Sequence, residues 1–248
     1  RNRSVLENEE SLDVDLWNKI VALGWTGIRI PEEYGGLGLG HLELCVIAEE
    51  LGRYLAPVPF SSSVYLFTEA IIKYADDSVK EEILPKLVTG EIVGTLAVAE
   101  DLKAPSAENI NLTSDKNVIN GIKIAVPDAE IATHVIAVAK TESGVSLQLV
   151  NLSSKGVSIE KQENIDESRG YFSISFKDVE SKLIGDSTTG WELYENIINQ
   201  AAVLFSYEQV GGSQAALDMA INYAKERYAF GRQIGSFQAI KHKLADMY

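Results

Sequence analysis

The 248-residue sequence is short of positive charge, of cysteine and of long apolar runs. Its 22 Lys and Arg face 36 Asp and Glu, giving a formal net charge of −14. That balance argues against general nucleic-acid binding, which relies on cations to neutralise phosphates. The single cysteine, Cys45, cannot close an internal disulfide. It lies among apolar neighbours in a helical pattern, so a buried thiol in a reducing, cytoplasmic compartment is expected. No run of about 18 apolar residues is present, so the chain reads as soluble with no membrane span. His41, His134 and His242 stand at no metal-ligand spacing from one another or from Cys45, and no metal is expected. A Gly-x-Ser-x-Gly elbow is missing too, which removes support for a serine hydrolase. The first residue is Arg1 rather than Met, which leaves room for a removed targeting segment.

What is there is ample for a folded core: 46% of residues are hydrophobic, enough to offset the ordering entropy of one large domain or two ordinary ones. From about Leu6 to Gly90 the chain reads as helices broken by Gly and Pro. Leu12, Leu16, Ile20 and Leu23 repeat at helical spacing, and a second helix through Leu42, Cys45, Val46, Ala48 and Leu51 stops at Gly52. Ser78-Val-Lys-Glu81 reads as a capping box opening a helix that ends near Thr89-Gly90. From Ile92 the period becomes two and β-branched residues dominate: Thr95–Val98, Asn117–Ile119, His134–Val138, Ser146–Val150, Val157–Ile159 and Tyr171–Phe176. Asn-Gly, Ser-Gly and Lys-Gly turns between such runs predict an antiparallel sheet or barrel. A long helix is then expected from Trp191 to about Phe230, with Ala216, Ala220 and Ala224 as a small-residue stripe. A further helix start at Ser236 runs into Tyr248 with no stop signal, as if cut within a helix. The order is α+β: a helical unit over 1–91, a β unit over 92–187, and the beginning of a second helical unit over 188–248.

Gly35-Gly36-Leu-Gly38-Leu-Gly40 follows no strand, and no Lys-Ser/Thr or ribose-binding acid is suitably placed after it, so a glycine turn between helices is expected rather than a phosphate loop. Asp76-Asp77 and Glu81-Glu82 read as a solvated helix start. Charge distribution is more telling. Lys225, Arg227, Arg232, Lys241 and Lys243 stand against Glu226 alone, a cationic island in an acidic chain. Solvated cations complementing a helix C-terminus would explain it. So would a pyrophosphate cradle, built from a helix end bearing Arg, a Gly-containing turn and the free amides of a fresh helix.

Three stretches in order resemble the acyl-CoA dehydrogenase family: Gly24-Trp25-Thr-Gly-Ile-Arg-Ile-Pro31-Glu-Glu-Tyr-Gly-Gly-Leu-Gly38; Leu84-Pro-Lys-Leu-Val-Thr-Gly90; and Tyr223-Ala-Lys-Glu-Arg227-Tyr-Ala-Phe230-Gly231-Arg-Gln-Ile234-Gly-Ser-Phe237-Gln238 with Leu244-Ala-Asp-Met247. The resemblance implies a helical N-terminal domain, a central antiparallel β-barrel and the start of a C-terminal helical bundle. It implies FAD as cofactor, an acyl-CoA thioester oxidised at its α and β carbons, and electrons leaving through an electron-transfer flavoprotein. It also implies that Arg227, Phe230, Ile234, Phe237 and Gln238 contact the FAD of a neighbouring subunit, where the charge pattern independently allows an anion.

Other segments depart from the family. Its first flavin segment, Thr-Glu-Pro-x-Ala-Gly-Ser-Asp, falls at Ala99–Ser106, where only Glu100 remains. Its second, Gly-x-Lys-x-Trp-Ile-Thr, falls at Gly121-Ile-Lys123-Ile-Ala125-Val126-Pro127, without the Trp and Thr that flank the flavin. The Asp-x-x-Arg pair near the substrate falls at Asn199-Gln-Ala-Ala202, and one branch's catalytic Glu at Ala201. The commoner position of that base lies beyond Tyr248. Glu208 is expected to turn away from the Ala201 position as a solvated or interface carboxylate, and no catalytic residue is assigned. Two classes of function are therefore expected: a dehydrogenase subunit in a homo- or hetero-oligomer with a paralogous partner, or a flavin-free scaffold with the same fold.

Overall fold

The computed structural model describes residues 12–166 and 169–248. The expected helix start at Leu6 lies outside them. Helix α1 spans Val14–Ala22 and buries Trp17 and Ile20; Asp13 caps it by accepting from the Leu16 amide at 2.9 Å. Helix α2 spans His41–Arg53. A wide-wound π segment, Ser61–Thr68, all eight residues buried, runs into α3, Glu69–Tyr74. Helix α4 spans Asp77–Val88, and its cap is Asp76, not Ser78. The Asp76 carboxylate accepts from the Val79 amide at 2.8 Å and from the Ser78 hydroxyl at 2.9 Å, because Asp76 stands in the extended position three residues before that orphan amide while Ser78 already lies in the first turn. The Gly35–Gly40 stretch is a turn, as expected: it packs on residues 27–31, where a β-carbon on Gly36 would fall 2.0 Å from the Ile30 carbonyl oxygen.

Strands follow: β1 Gly94–Ala97, β2 Thr113–Asp115, β3 Val118–Pro127, β4 His134–Lys140, β5 Val145–Asn151, β6 Val157–Lys161, β7 Tyr171–Glu180 and β8 Lys182–Ile184. They form one eight-stranded sheet ordered β6-β7-β3-β2-β4-β5-β8, with β1 also on β4. This corrects the expected antiparallel barrel twice. The end strands β6 and β8 do not pair, so the sheet stays open, and β1 and β2 both lie parallel to β4. Strand β4 explains the architecture. It is buried on both faces: Ile136 and Val138 join the helical core with Leu147 and Leu149, while Val135, Ala137 and Ala139 join a second core with Ile119, Phe172 and Ile174. A strand covered on both sides reads as a continuous apolar run, as His134-Val-Ile-Ala-Val does.

Helix α5 spans Gly190–Glu226, four residues short of the expected end at Phe230. It packs along α2 through a reciprocal glycine notch rather than through the alanine stripe, of which only Ala224 is buried. A β-carbon on Gly52 would fall 1.9 Å from the Glu208 carbonyl oxygen, and one on Gly211 would fall 1.9 Å from that of Glu49. Both hits are on backbone, which cannot swing aside. Gly211→Ala is therefore expected to cost at least about 1–3 kcal/mol by overpacking, whereas Ala216→Gly on the exposed flank should cost no more than about 1 kcal/mol from helix propensity. Urea denaturation of both variants checks the order. No described helix is long and apolar enough to cross a membrane.

Candidate functional site

The cationic island lies where α5 stops. Arg227 leaves the helix in an extended conformation, its amide still bonded to the Tyr223 carbonyl at 2.8 Å. Strands β9, Tyr228–Ala229, and β10, Arg232–Gln233, then pair as a hairpin whose two turn residues, Phe230 and Gly231, have φ of 53° and 76°. Two positive φ values define the tight hairpin turn that matches strand twist, and Gly at the second position relieves half the strain. The Ile234 amide donates back to the Arg227 carbonyl at 2.8 Å and closes the unit. Gly235 packs under Ala224, where a β-carbon would fall 2.8 Å from the carbonyl oxygen.

Helix α6, Gln238–Met247, begins directly after this turn. Ser236 does not cap it, because its hydroxyl donates to the Gln233 carbonyl at 2.6 Å. The first-turn amides of α6 therefore have no side-chain cap. Of the five expected contact residues, Arg227, Phe230 and Gln238 are exposed, and Ile234 and Phe237 half-buried. Phe230 stands edge-on to Phe237 with ring centroids 6.3 Å apart, and the Arg232 guanidinium stacks 4.0 Å over the Phe237 ring. Among the described residues no side-chain hydrogen bond or ion pair holds the Arg227 guanidinium or the Gln238 amide.

The β-sheet positions behave differently. Glu100 and Lys123, which survive in the two eroded segments, are each other's partners. Lys123, 0% exposed, donates to Glu100 at 2.6 Å and to the Val98 carbonyl at 2.9 Å. Glu100 also accepts from the Asn111 and Leu112 amides at 2.7 and 2.9 Å. Burial pushes the Lys123 ammonium down to about 8, against the pull of Glu100. Burial acts to raise the Glu100 carboxyl, but Lys123 and the two amides outweigh it and leave it below its ordinary value. Leu102 and Lys103 project into solvent. Ala125 sits in a β-bulge with φ of 51°, its amide donating to the Gln162 side chain at 2.8 Å. Pro127 has no amide hydrogen, and its carbonyl accepts from the Thr95 hydroxyl at 2.7 Å.

The donor set thus divides. The hairpin and the start of α6 suit an anionic dinucleotide, with an unpartnered guanidinium, an unpartnered amide side chain and uncapped helix amides. The Ala99–Ser106 and Ala125–Pro127 positions do not suit an isoalloxazine ring. They present no aromatic face and no free hydroxyl, and the Ala125 amide is already spent.

On α5, Ala201 is buried in the helical core while Asn199 and Ala202 are exposed. Glu208 corrects an expectation. Seven residues span about two turns of helix, so Glu208 shares the inward face of Ala201. Its side chain is 14% exposed and pairs with Arg169 at 3.2 Å. Arg169 had no signal in the sequence, being one Arg in a loop. His41 lies 3.6 Å from the buried Glu69 carboxylate, and the His134 Nδ1 sits 3.0 Å from the Thr133 hydroxyl. No cluster of His, Cys, Asp and Glu among the described residues could hold a metal. Cys45 is buried.

Comparison with known proteins gives these features a frame. Residues 2–91 match the family model "Acyl-CoA dehydrogenase, N-terminal domain", and residues 188–248 match "Acyl-CoA dehydrogenase, C-terminal domain". Mitochondrial isovaleryl-CoA dehydrogenase of Solanum tuberosum is 30% identical over 252 residues, covering 95% of this chain and 61% of that protein. The chain thus spans about three-fifths of that relative's length. Butyryl-CoA dehydrogenase of Megasphaera elsdenii superposes with a TM-score of 0.88 at 25% identity, over 95% of this chain and 67% of that one. The steroid ACAD Tcur3481-Tcur3483 superposes with a TM-score of 0.85 at 28% identity, over 99% and 68%. Two family models at the two ends and superposition along nearly the whole length agree with the helix, sheet, helix order, and this chain belongs to the acyl-CoA dehydrogenase family.

Proposed function

We propose that the chain is one subunit of an FAD-dependent acyl-CoA dehydrogenase of mixed composition, and that it lends its hairpin to a flavin held mainly by a paralogous subunit. The observation that carries this reading is the contrast within one chain. The Arg227 and Gln238 side chains and the Gln238 and Ala239 amides at the start of α6 are uncommitted, while the β-sheet positions that would wall a flavin are turned to solvent or bonded internally. In this reading Arg227 pairs with the pyrophosphate, Gln238 and the first turn of α6 donate to the same oxygens, and Phe230, Ile234 and Phe237 give the apolar border. The bound flavin supplies a two-electron acceptor for desaturating an acyl-CoA thioester, and an electron-transfer flavoprotein is the expected outlet. The steroid ACAD relative bears a paired designation, which accords with a mixed assembly.

The visible absorption of purified protein tests the assignment. A chain that is colourless alone and yellow after co-expression with a paralogous subunit supports it. Stoichiometric flavin on the chain alone overturns the lending role, and a colourless complex favours the flavin-free scaffold instead. Within a yellow complex, Arg227→Ala is expected to weaken flavin retention about 10- to 100-fold, the worth of one charge-assisted contact of about 1.5–3 kcal/mol. Helical content should not change, since the Arg227 side chain supports nothing else. Equal flavin content in wild type and variant after dialysis would count against the pyrophosphate role.

A further inference from the structure

A polar network ties the first part of α5 to α2 and α3 and uses no residue of the hairpin. Its centre is the Glu69 carboxylate on α3, 1% exposed, which accepts from Arg29 Nε at 2.8 Å and from Gln200 Nε2 of α5 at 2.9 Å. The Gln200 amide also bridges the Lys73 ammonium on α3 and Nε2 of His41, the first residue of α2. The two charged ends fix the hydrogen-bonding roles. An ammonium only donates, so the Gln200 carbonyl oxygen faces Lys73, and an ionised carboxylate only accepts, so the Gln200 NH2 faces Glu69. That NH2 is also the group that meets His41. His41 Nε2 therefore has to accept, which requires a neutral ring with its proton on Nδ1.

We propose that His41 is a pH-sensitive latch: neutral, it holds α5 on α2 and α3 through Gln200, and protonated, it expels Gln200 and takes Glu69 for itself. A proton on Nε2 turns the acceptor into a donor aimed at the Gln200 NH2. Flipping the amide is no escape, because its NH2 would then face the Lys73 ammonium and its oxygen the Glu69 carboxylate. His41 Nε2 lies 3.6 Å from the nearer Glu69 oxygen. A small ring movement makes a charge-assisted bond there and leaves α5 without its tie. The charged groups facing His41 are Glu69 and Lys73 on α3 and Arg29 in the segment between α1 and α2. On α2 itself Glu43 is engaged by the Gly40 amide at 2.8 Å, and α5 presents the neutral Gln200. Burial, with Arg29 and Lys73, holds the ring below its ordinary value against the pull of Glu69. The unfolded chain therefore takes up the proton first. The latch's contribution is complete above about 6.5 and is lost as pH falls from there to the lower folded value. Opening stays local, because the Gly52 and Gly211 notch still seats the middle of α5.

Nitrogen NMR of the histidine rings in the full chain, combined with amide hydrogen exchange, tests the latch, and the His41 signal is assigned by its loss in His41→Gln. Neutral His41 is expected to carry its proton on Nδ1 and to titrate below about 6.5. Across that titration, exchange of the α5 amides from Ile197 to Leu204 should quicken about 10-fold relative to the intrinsic rate at each pH. In His41→Gln the side-chain oxygen still accepts from Gln200 but cannot titrate, so the acid step in exchange should vanish. In Gln200→Ala the Glu69 carboxylate is free to pair with His41, so the His41 midpoint should rise. A merely structural role for Gln200 would leave that midpoint where it was. A proton on Nε2 of neutral His41, exchange without an acid step, a step that persists in His41→Gln, or an unmoved midpoint in folded Gln200→Ala would each overturn the proposal.

Discussion

Replacing Glu100 with Ala is expected to destabilise the protein by about 3–5 kcal/mol, because it leaves a fully buried ammonium without its counter-charge. Lys123 would keep only the Val98 carbonyl, and the Asn111 and Leu112 amides would lose their acceptor at the same time. Part of that deficit should shrink as pH rises. Lys123 already titrates in the folded state at about 8, below the unfolded value of about 10.4, and losing Glu100 lowers it further. Between those values the unfolded chain binds more protons, so stability climbs with pH there, and climbs over a wider window in the variant. Glu100 has the opposite sign. Its folded value is depressed, so its contribution is complete above the unfolded value of about 4.3 and is lost as pH falls through the lower folded one. Adding Lys123→Met to the Glu100→Ala background should recover much of the loss by removing the orphaned charge. Urea midpoints at pH 4, 7 and 9.5 report all three effects. A Glu100→Ala variant within about 1 kcal/mol of wild type would mean that the buried pair does not anchor this part of the sheet.

How the fold could be read in advance depended on the range of the signal. Periodicity is local, so α1, α2 and the strands at 95–98, 134–138 and 171–176 were legible from a few residues each. Pairing is not local. The parallel partnership of Gly94–Ala97 with His134–Ala137 joins segments some 40 residues apart, and nothing in a period of two says whether a strand's partner runs with it or against it. An open mixed sheet therefore looked like an antiparallel barrel. Gly52 and Gly211 show the same limit. Each glycine read alone is a weak helix residue or a stop, and only their mutual approach reveals that both are needed as gaps for a facing backbone.

The site was legible to different degrees for related reasons. The hairpin was marked by charge, since five cations in a short stretch of an acidic chain stand out from composition alone. Glu208 differs from its expectation through helical phase: a spacing of seven brings a residue back to the same face, and that face of α5 is buried. Glu100 and Lys123 lie in two separate segments of the sequence, and neither segment alone signals a pairing. Their side chains meet across 23 positions, and together they form a structural anchor of the sheet.

Supplied with FAD but no second subunit, the chain is expected to turn over acyl-CoA thioesters at least about 10³-fold more slowly than the mixed assembly. Desaturation needs a rigid wall for the flavin, a base at the α-carbon and donors that polarise the thioester carbonyl, the last two each worth about two to three orders of magnitude in rate. Ala201 cannot take a proton, which removes the α5 position as a base. Asn199 and Ala202 face solvent and carry no charge. Pro127 has no amide to offer and the Ala125 amide is engaged by Gln162. Against those losses, Arg227 and Gln238 can hold a phosphate but can neither move a proton nor polarise a carbonyl. Glu208 is no substitute base, because it is paired with Arg169 about two helical turns, some 10 Å, from Ala201. Reduction of an artificial electron acceptor across a panel of acyl-CoA chain lengths, measured for the chain alone and for the co-expressed complex, gives the comparison. Loss of turnover when Arg227→Ala is placed in the complex, with the partner subunit intact, would locate this chain's contribution at the hairpin. Robust turnover by the chain alone would mean that it builds a complete site, and the division of labour between two subunits would have to be abandoned.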